Sequence, residues 1–271
     1  MFGGLQRRLI YRPVRTRRVC PVAAGLDAAR VEPVSYVTDD GLTLQGWHVP
    51  AVGGRRSGVG TLLFFPGNGF HREKRGTTCK VLSEMGLDVF LFDYRGYAEN
   101  PGRPTEDLIS TDARAIWRSL TEQRKIPAGE IVIYGESLGG GVSTRLAGEL
   151  CVKGVGLGGL ILCATFSSLL DAAIHNYGWL PVRRVLVERY PSIELIHQVT
   201  CPLLVMHGEQ DRVVPFALGR QLFEAARSSA ENGIAKGFVP LPKAGHNDIL
   251  KVEEAGYRAG IEGFLDTLSR A

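Results

Sequence analysis

The sequence predicts an α/β fold: a mostly parallel, eight-stranded sheet flanked by helices and interrupted by a short helical insertion. Three observations carry this reading. From Pro33 onward, short β-branched runs alternate with longer amphipathic stretches, the rhythm of successive β-α-β units. Several strand candidates, such as Val89-Phe90-Leu91-Phe92 and Ile131-Val132-Ile133, are continuously apolar, as strands covered on both faces are. One interval, 166–200, separates two strands by far more than the usual ~2–6 residues.

Taken in order, strands are predicted over 34–38, 42–49, 59–65, 87–93, 131–135, 160–165, 203–207 and 238–241. Asp39-Asp40-Gly41 between the first two reads as a hairpin turn. A helix is expected over 106–125. Thr105 is a plausible N-cap there, Glu106 and Asp107 sit at the positive helix end, and Leu108, Ala113, Ile116, Trp117 and Leu120 recur at helical spacing. Further helices are expected after Ser137, near Pro215 and at the C-terminus. The 166–200 interval contains helix-like material and lies after a strand, where insertions commonly act as lids.

The bulk composition is that of a globular chain of 271 residues, 44% apolar and 22% charged. The formal net charge of +4 is unevenly placed. Arg7, Arg8, Arg12, Arg15, Arg17 and Arg18 fall within the first 18 residues, which hold no acid. Taking those six from the 32 basic residues leaves 26 against 28 acids, so the body is slightly acidic. The division expected is therefore a basic N-terminal arm, 1–30, and one folded domain, 31–271. A nucleic-acid partner would call for a basic face on the folded body, and none is predicted. The arm instead suggests a peripheral contact with anionic lipid, against the plainer reading of a solvated or body-packed arm.

No stretch reaches the ~18 apolar residues of a membrane-spanning helix, and no secretory h-region opens the chain. Cys20, Cys79, Cys151, Cys163 and Cys201 are odd in number and dispersed, which suits a reducing compartment. The expected setting is cytoplasmic, with membrane association through the arm as the open alternative. No metal or cofactor is called for.

The chemistry centres on Gly135-Glu136-Ser137-Leu138-Gly139, a Gly-x-Ser-x-Gly motif between a buried strand pattern and a helix. A tight strand-to-helix turn would project the serine Oγ above the sheet at a positive helix end. Serine needs a base, and His246 lies in the turn between the last strand and the last helix. His175 and His197 fall in the insertion, and His207 closes an apolar strand. For the acid that orients the base, Asp211 follows the penultimate strand, with Glu209 in reserve. Asp248 is better placed to cap the next helix. An oxyanion would be met by the backbone N–H of Leu138 and by that of Asn68, in the glycine-rich loop after the third strand.

These blocks occur in a particular order: Phe64-Phe65-Pro66-Gly67-Asn68-Gly69, Asp93-Tyr94-Arg95-Gly96-Tyr97, Gly102-Arg103-Pro104-Thr105-Glu106, the serine motif, His207-Gly208-Glu209-Gln210-Asp211 and Gly245-His246-Asn247-Asp248. Together they resemble the Bem46-like branch of the α/β-hydrolase superfamily. The resemblance implies Ser137, Asp211 and His246 as a catalytic triad under a short helical cap. It departs from the family at the oxyanion loop, where Pro66 stands for the usual histidine and the usual alanine is missing. Many members also carry a membrane anchor ahead of the segment resembling Leu5–Tyr11.

The activity implied is hydrolysis of an ester, thioester or related acyl bond of a small-molecule or lipid substrate. A peptidase of the same fold and a non-catalytic ligand-binding protein are the alternatives. Within the insertion, Tyr177, Trp179 and Leu180 are the candidates for an apolar acyl wall, Gly178 and Pro181 shaping the corner between them.

Overall fold

Eight strands form one sheet in the computed structural model of the chain, which describes residues 2–16, 18–179 and 181–270. They are β1 (Glu32–Val37), β2 (Thr43–Val49), β3 (Thr61–Phe65), β4 (Asp88–Phe92), β5 (Ile131–Glu136), β6 (Gly159–Cys163), β7 (Leu203–Gly208) and β8 (Gly237–Leu241). Their spatial order is β1-β2-β4-β3-β5-β6-β7-β8. β1 and β2 are antiparallel, as are β2 and β4, and every other neighbouring pair is parallel. All eight strands lie where the sequence places them.

The continuous apolar runs are explained by two cores, one on each face. Successive residues of a strand point to opposite sides. Leu63, Phe65, Ile131 and Ile133 enter one core, while Leu62, Phe64, Val132 and Tyr134 enter the other. Helices α3 (Glu106–Arg118), α4 (Leu138–Val152) and α8 (Phe216–Ala225) supply the first core with Ile109, Trp117, Val142, Leu146 and Leu222. Helices α2 (Gly76–Glu84) and α10 (Glu254–Leu268), the latter preceded by the one-turn α9 (Ile249–Val252), supply the second with Val81, Leu82, Tyr257, Ile261 and Leu265.

Two helices depart from the sequence reading. The 106–125 helix begins as expected, with Thr105 Oγ1 accepting from the Leu108 N–H at 3.2 Å. Its α-helical part stops at Arg118, and a wider π turn follows over Ser119–Gln123. There the Arg124 N–H reaches back five residues to Ser119 O, and Lys125 ends the run at a left-handed φ of 58°. Helix α2 lacked a strong sequence signal because it starts Gly-Thr-Thr. Gly76 is needed there, since a Cβ would lie 1.9 Å from Ala24 O.

The insertion between β6 and β7 folds into three short helices: α5 (Leu169–Tyr177), α6 (Val182–Val185) and α7 (Ser192–Leu195). Ser168 caps α5 by accepting from the Asp171 N–H at 3.0 Å. The N-terminal segment forms α1 (Phe2–Ile10) and then an extended strap laid along the loops after β3 and β4. Arg12 N–H donates to Asn68 O, Thr16 N–H to Ala98 O, and Ala98 N–H to Val14 O, each at 3.0–3.1 Å. Tyr11 is wholly buried.

Candidate active site

Parallel order among β3 to β8 brings the C-terminal ends of six strands to one edge, where α/β proteins place their sites. Ser137 follows β5, Asp211 lies three residues beyond β7, and His246 follows β8. At Ser137 the chain turns with φ 53° and ψ −116°, a strained combination for a residue with a Cβ. The flanking glycines make the turn possible. A Cβ on Gly139 would stand 1.9 Å from Phe65 O, and one on Gly135 would stand 2.6 Å from Gly139 O. Thr165 Oγ1 braces the turn by donating to Ser137 O at 2.8 Å.

Ser137, His246 and Asp211 meet in one hydrogen-bonded line. Ser137 Oγ is 3.0 Å from His246 Nε2, and His246 Nδ1 is 2.7 Å from Asp211 Oδ2. A carboxylate cannot donate, so the ring proton sits on Nδ1 and leaves Nε2 to accept from the serine hydroxyl. Asp211 is held on every side. Its Oδ1 accepts from the N–H groups of Val213 and Val214, each at 2.8 Å. Its Oδ2 also lies 3.3 Å from His207 Nε2. Burial pushes the Asp211 carboxyl up, but hydrogen bonds from His207 and His246, the charge of His246 and the Val214 amide outweigh it, leaving Asp211 well below the usual carboxylate range.

His207 closes its strand, as the sequence suggested, and in addition steadies the acid. Fully buried, with Nε2 also 2.9 Å from Val214 O, it is wedged under α8, where a Cβ on Gly219 would lie 2.1 Å from its Nδ1. The sequence signal was available in hindsight: a histidine four residues before the acid, at a strand end. Glu209 is exposed, and Asp248 accepts from the Gly245 N–H at 2.7 Å, so it secures the turn that carries His246.

Leu138 begins α4 and is buried beside Ser137. The loop bearing Asn68 comes up against the same serine: a Cβ on Gly67 would lie 3.4 Å from Ser137 Cβ. Two tyrosines hold this loop, Tyr94 donating to Pro66 O and Tyr97 to Asn68 O, both at 2.7 Å. The Asn68 side-chain amide donates to Ile10 O at 2.5 Å, so that side chain ties down the strap.

A family model described as serine aminopeptidase, S33, matches residues 57–195, about half of the chain. An uncharacterized protein of Mycobacterium tuberculosis is 39% identical over 244 residues, covering 90% of this chain and 81% of its own. The chain belongs to the α/β-hydrolase superfamily. A lysophosphatidylserine lipase, ABHD12, from Danio rerio is 32% identical over 196 residues, covering 66% of this chain and 51% of its own. Among solved structures, the Pyrococcus furiosus esterase Pf2001 shares the fold, with a TM-score of 0.70 at 19% identity over 96% of this chain and 98% of its own.

In this hydrolase the Ser137–His246 pair forms the floor of a cavity of about 880 Å³. Its roof is the cap, through Leu169, Ala172 and Val182, and its side wall is the N-terminal segment, through Leu9, Ile10 and Val14. Tyr177 and Trp179 both line it, Trp179 at the outer edge with 81% of its surface exposed. Leu180, the third residue proposed for the acyl wall, lies outside the described residues. A residue that sequence reading did not single out, Arg75, also lines the cavity and pairs with Glu136 at 3.1 Å. The charged Glu136 inside the serine motif hinted at a cation, though not at which one.

Cap and strap are fastened by two buried carboxylates. Glu188, 2% exposed, takes the Tyr11 hydroxyl at 2.9 Å, Arg7 Nε at 2.6 Å and the Glu106 N–H. Glu106 returns the favour at the start of α3, taking the N–H groups of Arg189 (2.6 Å) and Tyr190 (3.0 Å), with Arg145 on its other oxygen. Among the described residues, no helix is long and apolar enough to cross a membrane.

Proposed function

We propose that this protein hydrolyses acyl esters or thioesters through an acyl-Ser137 intermediate. The observation that carries the reading is the line from Asp211 through His246 to Ser137 Oγ, set at the floor of a largely apolar cavity. In the first half-reaction Ser137 Oγ attacks the carbonyl carbon while its proton passes to His246 Nε2. Collapse of the tetrahedral intermediate breaks the bond to the alcohol or thiol, which leaves with that proton. Water then attacks the acyl group, gives a proton to Nε2, and the acid departs as Ser137 recovers its own. Asp211 keeps the ring in the accepting tautomer and balances the imidazolium charge. Charge on the carbonyl oxygen is met by the Leu138 N–H at the start of α4 and by the Asn68 N–H.

An acyl chain suits the cavity because Leu9, Ile10, Val14, Leu169, Val182 and Leu186 offer apolar contact, each buried methylene contributing about 0.8 kcal/mol. Tyr177 and Trp179 form the outer part of that wall. The lipase named among the relatives supports a lipid substrate class. A peptidase would need an anchor for a substrate amine. The one carboxylate lining the cavity among the described residues, Glu136, is already paired with Arg75.

A fluorophosphonate probe should label the intact protein at Ser137, and p-nitrophenyl esters should be turned over in preference to aminoacyl p-nitroanilides. Failure of both labelling and ester turnover in folded protein would leave the ligand-binding alternative standing.

A further inference from the structure

The surface around the cavity mouth has a composition that hydrolysis alone does not require. Of fourteen large apolar side chains exposed among the described residues, seven line this one opening. They are Leu9 and Val14 of the N-terminal segment, Tyr177, Trp179 and Val185 of the cap, and Phe70 and Val213 of the body. Half of the exposed large apolar residues thus ring one hole, where a random scatter would spread them.

The two segments that build most of this ring are predominantly basic, and the one lining carboxylate among the described residues, Glu136, is paired with Arg75. Residues 6–18 contain six arginines and no acid. Residues 177–190 contain Arg183, Arg184 and Arg189 and a single acid, Glu188, which is buried against Arg7 and Tyr11. Arg8, Arg12, Arg183 and Arg184 are exposed, and each belongs to the ring or adjoins it: Arg12 lines the opening, Arg8 precedes Leu9, and the cap pair lies between Val182 and Val185. Glu106 and Glu188, the buried carboxylates that clasp cap to strap, point away from this face.

We propose that the cavity mouth, built jointly by the N-terminal segment and the cap, is a docking surface for an anionic lipid bilayer. Apolar tips enter the headgroup layer, and the arginines remain at phosphate level, their alkyl stems extended along the apolar surface. A tryptophan at the rim suits that boundary, being apolar in its body and polar at one edge. A second copy of the chain fits this face poorly, because a two-fold contact would set arginine-rich segments against each other. The proposal does not depend on acyl transfer, but it gives an acyl chain a path from bilayer to cavity without crossing water.

The test uses the full chain carrying Ser137→Ala, so that lipid is not consumed, and co-sedimentation with vesicles. Binding should be strong on phosphatidylcholine mixed with phosphatidylglycerol, weak on phosphatidylcholine alone, and reversed by added salt. The double variant Arg183→Glu/Arg184→Glu should lower partitioning onto the mixed vesicles by about tenfold or more. In the Ser137-intact background the same double variant should leave hydrolysis of a soluble short-chain ester unchanged, which separates docking from chemistry. Trp47 and Trp117 are buried, so a blue shift of emission on docking should come from Trp179 and vanish in Trp179→Phe while binding persists. The proposal is overturned by absence of binding to mixed vesicles, or by equal binding to both vesicle types unaffected by the double variant. A concentration-dependent dimer abolished by Trp179→Asp, with no vesicle binding, would assign the surface to self-association instead.

Discussion

The floor of the cavity is regular structure: Ser137 and Leu138 sit where a strand buried on both faces becomes a long helix, braced by Thr165 and by glycines that admit no side chain. The roof and side wall are short helices and a strap, joined to the body by buried apolar residues such as Ala172 and Tyr190 and by polar contacts at Glu106, Glu188, Tyr11, Asn68 and Ala98. Floor positions are over-determined by packing, so small errors there are not available to the chain. Roof positions add to a narrower apolar contact, through Tyr11, Ala172 and Tyr190, a few buried polar contacts between segments far apart in sequence. Under the proposed function, reaction geometry would rest on the stiffer part and substrate choice on the looser one, the arrangement expected when a fixed scaffold carries variable loops.

The sharpest test of the floor is Ser137→Ala. Turnover of a p-nitrophenyl ester should fall by about 10⁵–10⁶, with the melting curve little changed. Substantial residual turnover in pure protein would remove Ser137 from the mechanism. Next comes the loop opposite it: Asn68→Pro deletes the proposed oxyanion N–H and should reduce kcat by roughly 10²–10³. Asn68→Ala keeps that donor and loses only the tie to Ile10, so its kcat loss should be far smaller. Equal losses would shift the role from backbone to side chain.

The roof should respond in stability before chemistry. Glu188→Ala leaves the buried Glu106 amide without its acceptor, returns Arg7 to solvent and leaves the Tyr11 hydroxyl with Tyr190 alone, costing about 2–3 kcal/mol. That loss should appear first as proteolytic cleavage within 166–200 or the N-terminal segment, at denaturant levels where the sheet remains folded. A single cooperative transition with no early cleavage would mean that roof and floor are equally fastened.

A smaller effect is expected in acid. Asp211 is held below the ordinary carboxylate range in the folded chain, so above that range it is ionised in both states and its stabilisation is complete. As pH falls through about 4, the unfolded chain takes up a proton that the folded chain refuses, and stability declines until the native carboxyl itself titrates. Urea midpoints at pH 5 and pH 3 should therefore fall more for the parent than for Asp211→Asn. Parallel declines would deny Asp211 that linkage. Smallest of all, Trp179→Ala should change the kcat/KM ratio between short and medium acyl esters by several-fold. A uniform loss across chain lengths would make Trp179 part of the surface rather than of the acyl wall.

Sequence and tertiary structure contributed differently to these two regions. The strands of the floor were legible because a strand buried on both faces reads as an unbroken apolar run, wherever it pairs. The serine turn was legible because its glycines answer to steric demands only a few residues away. Asp211 and His246 followed once strand order was known, since each occupies the turn after a strand at the same sheet edge. The start of α2 was not legible, because Ala24, distant in sequence, decides what Gly76 must be.

The clasp was beyond reach for the same reason on a larger scale. Tyr11, Glu106 and Glu188 are separated by 82 to 177 residues, and nothing local marks a glutamate as the one to be buried. His207 looked like the end of a strand, and only the fold shows that its second partner is Asp211. The arginine-rich start was visible as a charge run from the outset. That it forms a wall of the cavity and meets the cap required the strap to find Asn68 and Ala98. Local steric and hydrophobic rules thus determined the sheet and the three residues at its edge. Contacts between segments far apart in sequence, whose energies no local pattern encodes, decided what encloses them.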